Sequence, residues 1–320
     1  MPSADDRQRT EPPSVRLRGV GALAPTDFAA TQTAEGRGWI AGLESLVEAL
    51  AAEWRLSRTT DAGWYGYNAV VVPVERDEAP LAIKVTWPPE GVALEVRALQ
   101  TWHGRGAVGL IASDERRGAL LLQRLDPARS LASVPLAEAA IVAGQLIRTL
   151  AIAAPEGVPS LEGVALGIAA SLPIRQRLLG TPLPGRWVRA AVRLATDLAT
   201  ASHPALIHAD LHYANVLAGG RPAAPWVAID PKPFVGDPER SVAELLWTRA
   251  DALADAQALT GLLETIVRSG GLDRDRALAW GFVRAIDYWL WGLEHHLTAD
   301  PVRCERVAST LAPQVVATRW

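Results

Sequence analysis

Lysine is almost missing from this 320-residue chain: of its 32 Lys and Arg residues, only Lys84 and Lys232 are lysines. Any site that needs a compact ammonium rather than a planar guanidinium therefore has two residues to draw on. Cysteine is scarcer still, and the single Cys304 excludes an intrachain disulfide and cannot build a zinc site alone. No apolar run reaches the roughly 18 residues that a membrane helix needs. The N-terminus also lacks a charged stretch followed by an apolar one, so neither membrane insertion nor export is expected and the chain reads as cytoplasmic. There is no internal repeat or low-complexity tract, and a net charge of -3 argues against nucleic acid as a partner.

The chain has the length and the 49% hydrophobic content to bury a large core. Single cores seldom grow past about 250 to 300 residues, so two lobes are expected. Residues 1–16 are polar, Pro-bearing and aperiodic, and read as a mobile tail. Helical spacing from Gly38 to Trp54 puts Leu43, Leu46, Val47 and Leu50 on one face. Strand patterns then dominate from Ala69 to Leu122. Beyond them the spacing is helical again, through Leu136 to Ile152, Val164 to Leu178, Trp187 to Leu198, Val242 to Leu253, Leu259 to Val267 and Arg276 to Leu297. The expected class is α+β, with a β-rich N-lobe over residues 17–123 and a larger helical C-lobe over 124–320.

Residues 207 to 230 carry the chemistry. They read Ile-His-Ala-Asp-Leu-His-Tyr-Ala-Asn-Val-Leu, a Gly-Gly-Arg-Pro turn, and Trp-Val-Ala-Ile-Asp. The spacing H-x-D-x-x-x-x-N, with a second Asp ending the next apolar strand, is that of a phosphotransferase catalytic loop. Phosphoryl transfer asks the protein to neutralise phosphate charge and to hold the acceptor hydroxyl in line. Asn215 and Asp230 offer the oxygens Mg²⁺ prefers, which leaves Asp210 for the hydroxyl proton. The same letters admit a second reading, in which His208, Asp210 and His212 bind zinc or iron in a hydrolase.

A kinase also needs a lysine on an N-terminal strand and a helical Glu to hold it. The strand Pro80-Leu-Ala-Ile-Lys-Val-Thr-Trp87 provides Lys84. In the helix that follows, Glu95 is its expected partner and Glu90, near the helix start, the alternative. Gly63 and Gly66 stand before the strand Ala69-Val-Val-Val-Pro-Val74, either as a phosphate-covering loop or as a plain turn, since the full G-x-G-x-x-G is missing. The buried strand from Ala119 runs through Gln123 and Leu125 into Pro127, where a kinase has the hinge whose amides bind adenine.

Taken together, His208-Ala-Asp-Leu-His-Tyr-Ala-Asn215, Ile229-Asp-Pro-Lys-Pro233, Gly236-Asp-Pro238, Leu81-Ala-Ile-Lys84 and Gly118-Ala-Leu-Leu-Leu122 resemble the aminoglycoside phosphotransferase family. Within it, they resemble the branch of streptomycin 6-phosphotransferases and hydroxyurea phosphotransferases. The resemblance covers nearly everything after residue 40. It implies a bilobal protein-kinase-like fold, ATP and Mg²⁺ as cofactors, and a hydroxyl of an antibiotic or other small molecule as acceptor. It makes Asp210 the catalytic residue, Asn215 and Asp230 the metal ligands, Lys84 the phosphate lysine and His208 the support of the loop. Lys232 stands where protein kinases carry the Gly of Asp-Phe-Gly, and either faces the γ-phosphate or structures its segment. A metabolite kinase acting on an amino sugar or small alcohol, and a catalytically weak nucleotide-binding module, remain alternatives.

For the acceptor, residues 237–300 hold 11 acidic and 6 basic side chains, which favours a cation. On the helix near Trp280 to Glu294, the residues Arg284, Asp287, Trp291 and Glu294 share one stripe, and Phe282, Ile286, Leu290 and Leu293 another. The second stripe reads as core. The first reads either as a solvated face or as an acceptor pocket in which Asp287 and Glu294 pair with a cation and Trp291 stacks on it. Of the twelve tryptophans, Trp289, Trp291 and Trp64 are the binding candidates.

Overall fold

A computed structural model of the protein describes residues 28–59, 63–200, 204–221 and 224–316; the tail expected over residues 1–16 lies outside them. The described residues form two compact units that divide after Asp126, where the sequence reading places the boundary after residue 123. No described helix is long and apolar enough to cross a membrane.

In the first unit, α1 (Ala34–Glu53) starts at Thr33, whose side chain accepts the Gly36 amide at 3.0 Å. Its Leu43, Val47 and Leu50 are fully buried. They pack on an antiparallel sheet made of β1 (Ser57–Arg58), β2 (Trp64–Tyr65), β3 (Ala69–Arg76), β4 (Ala79–Thr86), β5 (Leu110–Asp114) and β6 (Ala119–Gln123). The order is β1-β3-β4-β6-β5, with β2 also on β3. Alternation along β4 turns Leu81, Ile83 and Val85 into the α1 cluster. Ala82, Lys84 and Thr86 thus occupy the opposite face, where α2 (Val92–Trp102) follows.

The second unit is mainly helical: α3 (Leu136–Leu150), α4 (Leu161–Leu178), α5 (Gly185–Thr200), α6 (Ala243–Trp247), α7 (Ala256–Gly270), α8 (Arg274–Glu294) and α9 (Ala299–Val316). Two small antiparallel sheets interrupt the helices. One pairs β9 (Val216–Arg221) with β10 (Ala224–Ala228), and the other runs β11 (Phe234–Gly236), β8 (Ala205–Ile207), β7 (Ile152–Ala153).

Two segments differ from the sequence reading. The single helix expected from Val242 to Leu253 is a 3-10 turn, the five-residue α6 and a second 3-10 turn. Every residue of α6 is buried, so the apolar pattern there reports enclosure on all sides rather than one amphipathic face. The helix α9 is additional. Its buried Cys304, Val307, Ala308, Leu311 and Val315 recur at helical spacing, but Pro301 and Pro313 obscure the signal.

Candidate active site

The catalytic loop hangs between β8 and the β9–β10 hairpin, and main-chain bonds fold it onto itself. The His208 carbonyl accepts two amides, from Asp210 at 2.8 Å and from Lys232 at 3.0 Å. Asn215 donates its Nδ2 to the Asp210 carbonyl at 3.0 Å, and its own carbonyl takes the Ile229 amide at 2.9 Å. Asp230, the next residue, holds a left-handed φ of 56°, unusual for a residue with a side chain. Backbone strain of this kind clusters at functional sites. Asp210, Asn215 and Asp230, separated in sequence, are therefore tied to a common set of main-chain bonds.

The amide bond from Asn215 also fixes which end of its side chain can bind a cation. Its nitrogen donates to the Asp210 carbonyl, so Oδ1 is the atom with which Asn215 could meet a cation. One amide oxygen and the Asp230 carboxylate make a hard-oxygen donor set of the kind Mg²⁺ uses alongside phosphates and water, so these residues fit that ion. The zinc reading finds no matching geometry. Among the described residues no three His, Cys, Asp or Glu side chains gather as a metal site. His208 and Asp210 are turned to other partners.

His208 is 1% exposed, and its Nε2 lies 2.9 Å from the Ile229 carbonyl, to which it donates. Burial pulls its pKa down to about 4 against the opposing influence of Asp210. It is neutral at pH 7, so it supports the loop by hydrogen bonding and not by charge. An unfolded histidine takes up its proton near pH 6.5, and the folded one near 4, so the unfolded state binds more protons in between. Stability present above pH 6.5 is thus expected to be lost as pH falls toward 4. Denaturant titrations of wild type and His208→Gln across that window check this. A pH slope identical in both proteins would remove His208 as its source.

Burial likewise lowers the pKa of His212. Lys232 reaches Asp210 with its side chain, Nζ to Oδ2 at 2.7 Å. Desolvation opposes the ammonium, but Asp210 and Asp230 outweigh it and hold the lysine above its ordinary pKa.

In the first unit, Lys84 and Glu95 form a buried pair, with Nζ 2.7 and 2.8 Å from the two carboxylate oxygens. Their side chains are 8% and 7% exposed. Glu95, rather than Glu90, is the partner. Gly63 has a packing role, since a Cβ there would lie 2.8 Å from the Val71 carbonyl across the β2–β3 pair. Gly66 closes the turn, its amide donating to the Ala69 carbonyl at 2.7 Å. The Gln123 amide is spent on the Gly109 carbonyl at 2.8 Å, and Leu125 follows in the connection to the second unit.

The stripe on α8 is more occupied than its composition suggests. Asp287 accepts from Arg175 of α4 at 2.6 Å and pairs with Arg284; Glu294 accepts from Arg175 at 2.9 Å. Trp291 is 39% exposed, but Tyr288 stacks on it at 5.1 Å and His295 at 4.1 Å. A ring covered by two stacked neighbours offers mainly its edge. Trp289 is 7% exposed and packs against Trp187, so it is core.

Sequence reasoning missed Arg175, one arginine among many, and Glu244. Glu244 is buried between Arg240 at 2.6 Å and Arg284 at 3.5 Å. Asp237 of the Gly236-Asp-Pro238 motif is also buried, bonded to Trp280 Nε1 at 2.8 Å and paired with Arg276. Gly236 before it lets β11 approach α4, because a Cβ there would meet Leu161 at 2.6 Å.

A lysine–glutamate pair behind a β-sheet and an Asp–Asn–Asp loop in a helical unit define a kinase-like phosphotransferase. Its fold is shared with a thermostable variant of the aminoglycoside phosphotransferase APH(4)-Ia, solved with AMP-PNP and hygromycin B. The TM-score is 0.58 at 13% identity, over 86% of this chain and all of that one. The family model for aminoglycoside/hydroxyurea antibiotic resistance kinases matches residues 54–295, and the chain belongs to that family. It is 36% identical to a hydroxyurea phosphotransferase of Kitasatospora aureofaciens, over 92% of this chain and 88% of the relative. It is also 36% identical to a streptomycin 6-kinase of Streptomyces griseus, over 87% of this chain and 92% of the relative.

Proposed function

We propose that the protein is an ATP- and Mg²⁺-dependent phosphotransferase that moves the γ-phosphate to a hydroxyl of a small antibiotic, with a streptomycin-type cation as the leading acceptor. The observation that carries this reading is the loop in which Asn215 is bonded to Asp210 and to Ile229, the residue before Asp230, in a chain of the antibiotic resistance kinase family. Asp210 accepts the proton of the acceptor hydroxyl as that oxygen attacks phosphorus. Asn215 Oδ1 and Asp230 would hold Mg²⁺, which when bound would neutralise charge on the phosphate oxygens. Lys84, oriented by Glu95, holds the α- and β-phosphates. The turn at Gly63 and Gly66 covers the phosphates, and with the Gln123 amide already engaged, the adenine contact falls to Leu125. A cytoplasmic location, where ATP is at hand, belongs to the same proposal.

A neutral acceptor is the second reading, and one observation favours it. The carboxylates of Asp287 and Glu294, which a cationic acceptor would use, already hold the Arg175 guanidinium. Hydroxyurea, named in a relative, is such an acceptor. An ADP-release assay with Mg²⁺ and ATP, run over streptomycin, other aminoglycosides, hydroxyurea and amino sugars, separates these cases. Turnover is expected with streptomycin. Turnover with hydroxyurea alone would move the assignment to the neutral acceptor, and with amino sugars alone to a metabolite kinase. Nucleotide binding without any transfer would leave a binding module, and no response to nucleotide would end the kinase reading.

A further inference from the structure

We infer that Lys232 is the positioning residue of the catalytic loop, fixing the Asp210 carboxylate through one N–H of its ammonium and offering the others to the transferred phosphoryl group. The inference rests on the phosphotransferase reading above and deepens it.

Three observations support it. The main chain of Lys232 is stiff and anchored: it lies between Pro231 and Pro233, which restrict its backbone, and its amide is bonded to the His208 carbonyl that also holds the Asp210 amide. Base and lysine are thus registered on a single oxygen atom. The side chain then returns to the loop, Nζ to Asp210 Oδ2 at 2.7 Å, which occupies one carboxylate oxygen and leaves Oδ1 to meet a hydroxyl. Finally, the lysine side chain is 69% exposed, so the pair adds little to stability and the ammonium's remaining donors are open to a second anion.

The residue type agrees with this geometry. In a chain that uses arginine almost everywhere, the only other lysine, Lys84, is the one assigned to phosphate. A compact ammonium with three donors can serve a carboxylate and a phosphate oxygen together. During transfer, the acceptor O–H proton passes to Asp210 Oδ1 as the acceptor oxygen bonds to phosphorus. The bond from phosphorus to the β,γ-bridging oxygen breaks, and ADP leaves with that electron pair. Lys232 holds Oδ2 throughout and meets the charge on the moving phosphoryl oxygens.

Lys232→Met and Lys232→Arg test this in the full-length protein. For Lys232→Met, kcat is expected to fall about 10- to 100-fold, the worth of one charged hydrogen bond, with the KM of the acceptor little changed. Lys232→Arg keeps the charge but not the compact ammonium, and is expected to restore only part of the loss. Binding measured by calorimetry gives a readout independent of turnover. The Mg²⁺ complex of AMP-PNP is expected to bind Lys232→Met several-fold more weakly than wild type, and the Mg²⁺ complex of ADP equally well. The melting temperature is expected to stay within about 1 °C, as for an exposed pair. A Lys232→Met protein with wild-type kcat, or one losing ADP and AMP-PNP affinity alike, overturns the role of Lys232 while leaving the kinase reading intact. A wild-type protein that transfers phosphate to no acceptor overturns both.

Discussion

Asp210→Ala is expected to lower kcat by about 10²- to 10⁴-fold, the usual contribution of a positioned general base, while ATP binding is retained. The expectation follows from how little else the residue does. Its side chain is part-exposed, and the bonds that shape the loop run through its main chain: the amide to His208, and the carbonyl to Asn215. Alanine preserves both. The exposed pair with Lys232 is lost, which costs at most about 1 kcal/mol in stability. A phosphate-transfer assay alongside calorimetry of nucleotide binding distinguishes the outcomes. Transfer that persists near the wild-type rate in Asp210→Ala would refute the assignment of the base.

The second large effect concerns stability as much as activity. Lys84→Met removes the cation paired with the buried Glu95, and breaking a buried pair from one side costs about 3–5 kcal/mol. The double variant Lys84→Met/Glu95→Leu removes both charges and is expected to recover most of that loss, because well-packed apolar groups replace buried ion pairs at little cost. Phosphate transfer is expected to fail in both. Two compact units need not unfold together, so the transition to follow by denaturant is that of the unit containing β4 and α2. A double variant that regains stability and also activity would show that Lys84 serves the fold alone.

Legibility in the sequence tracked how local each feature is. The span from His208 to Asn215 is one loop, so its spacing alone brought Asp210 and Asn215 together, and the adjoining hairpin brought Asp230. The pairing of Lys84 with Glu95 was legible because they are 11 residues apart on a strand and the helix that follows it. The expectations that stayed open depended on remote partners. Composition counted Asp287 and Glu294 as surplus acid, but Arg175, which pairs with both, lies more than a hundred residues upstream on α4. Trp291 is the opposite case: its stacking neighbours Tyr288 and His295 are local, at helical spacing, but side-chain conformation decides whether the rings meet.

By itself, then, the sequence determined the reaction class, because phosphoryl transfer needs a few oxygens and an ammonium whose order along the chain is dictated by short loops and a strand–helix unit. The scarcity of lysine marked both ammonium groups in advance. The tertiary structure decided where the second of them points. Whether Lys232 turned to solvent, phosphate or Asp210 depended on a hairpin and a proline-flanked segment folding back to the His208 carbonyl. It also decided which acidic residues are already neutralised. Charge is summed along a chain but paired in space, and only packing brings Arg175 to Asp287 and Glu294.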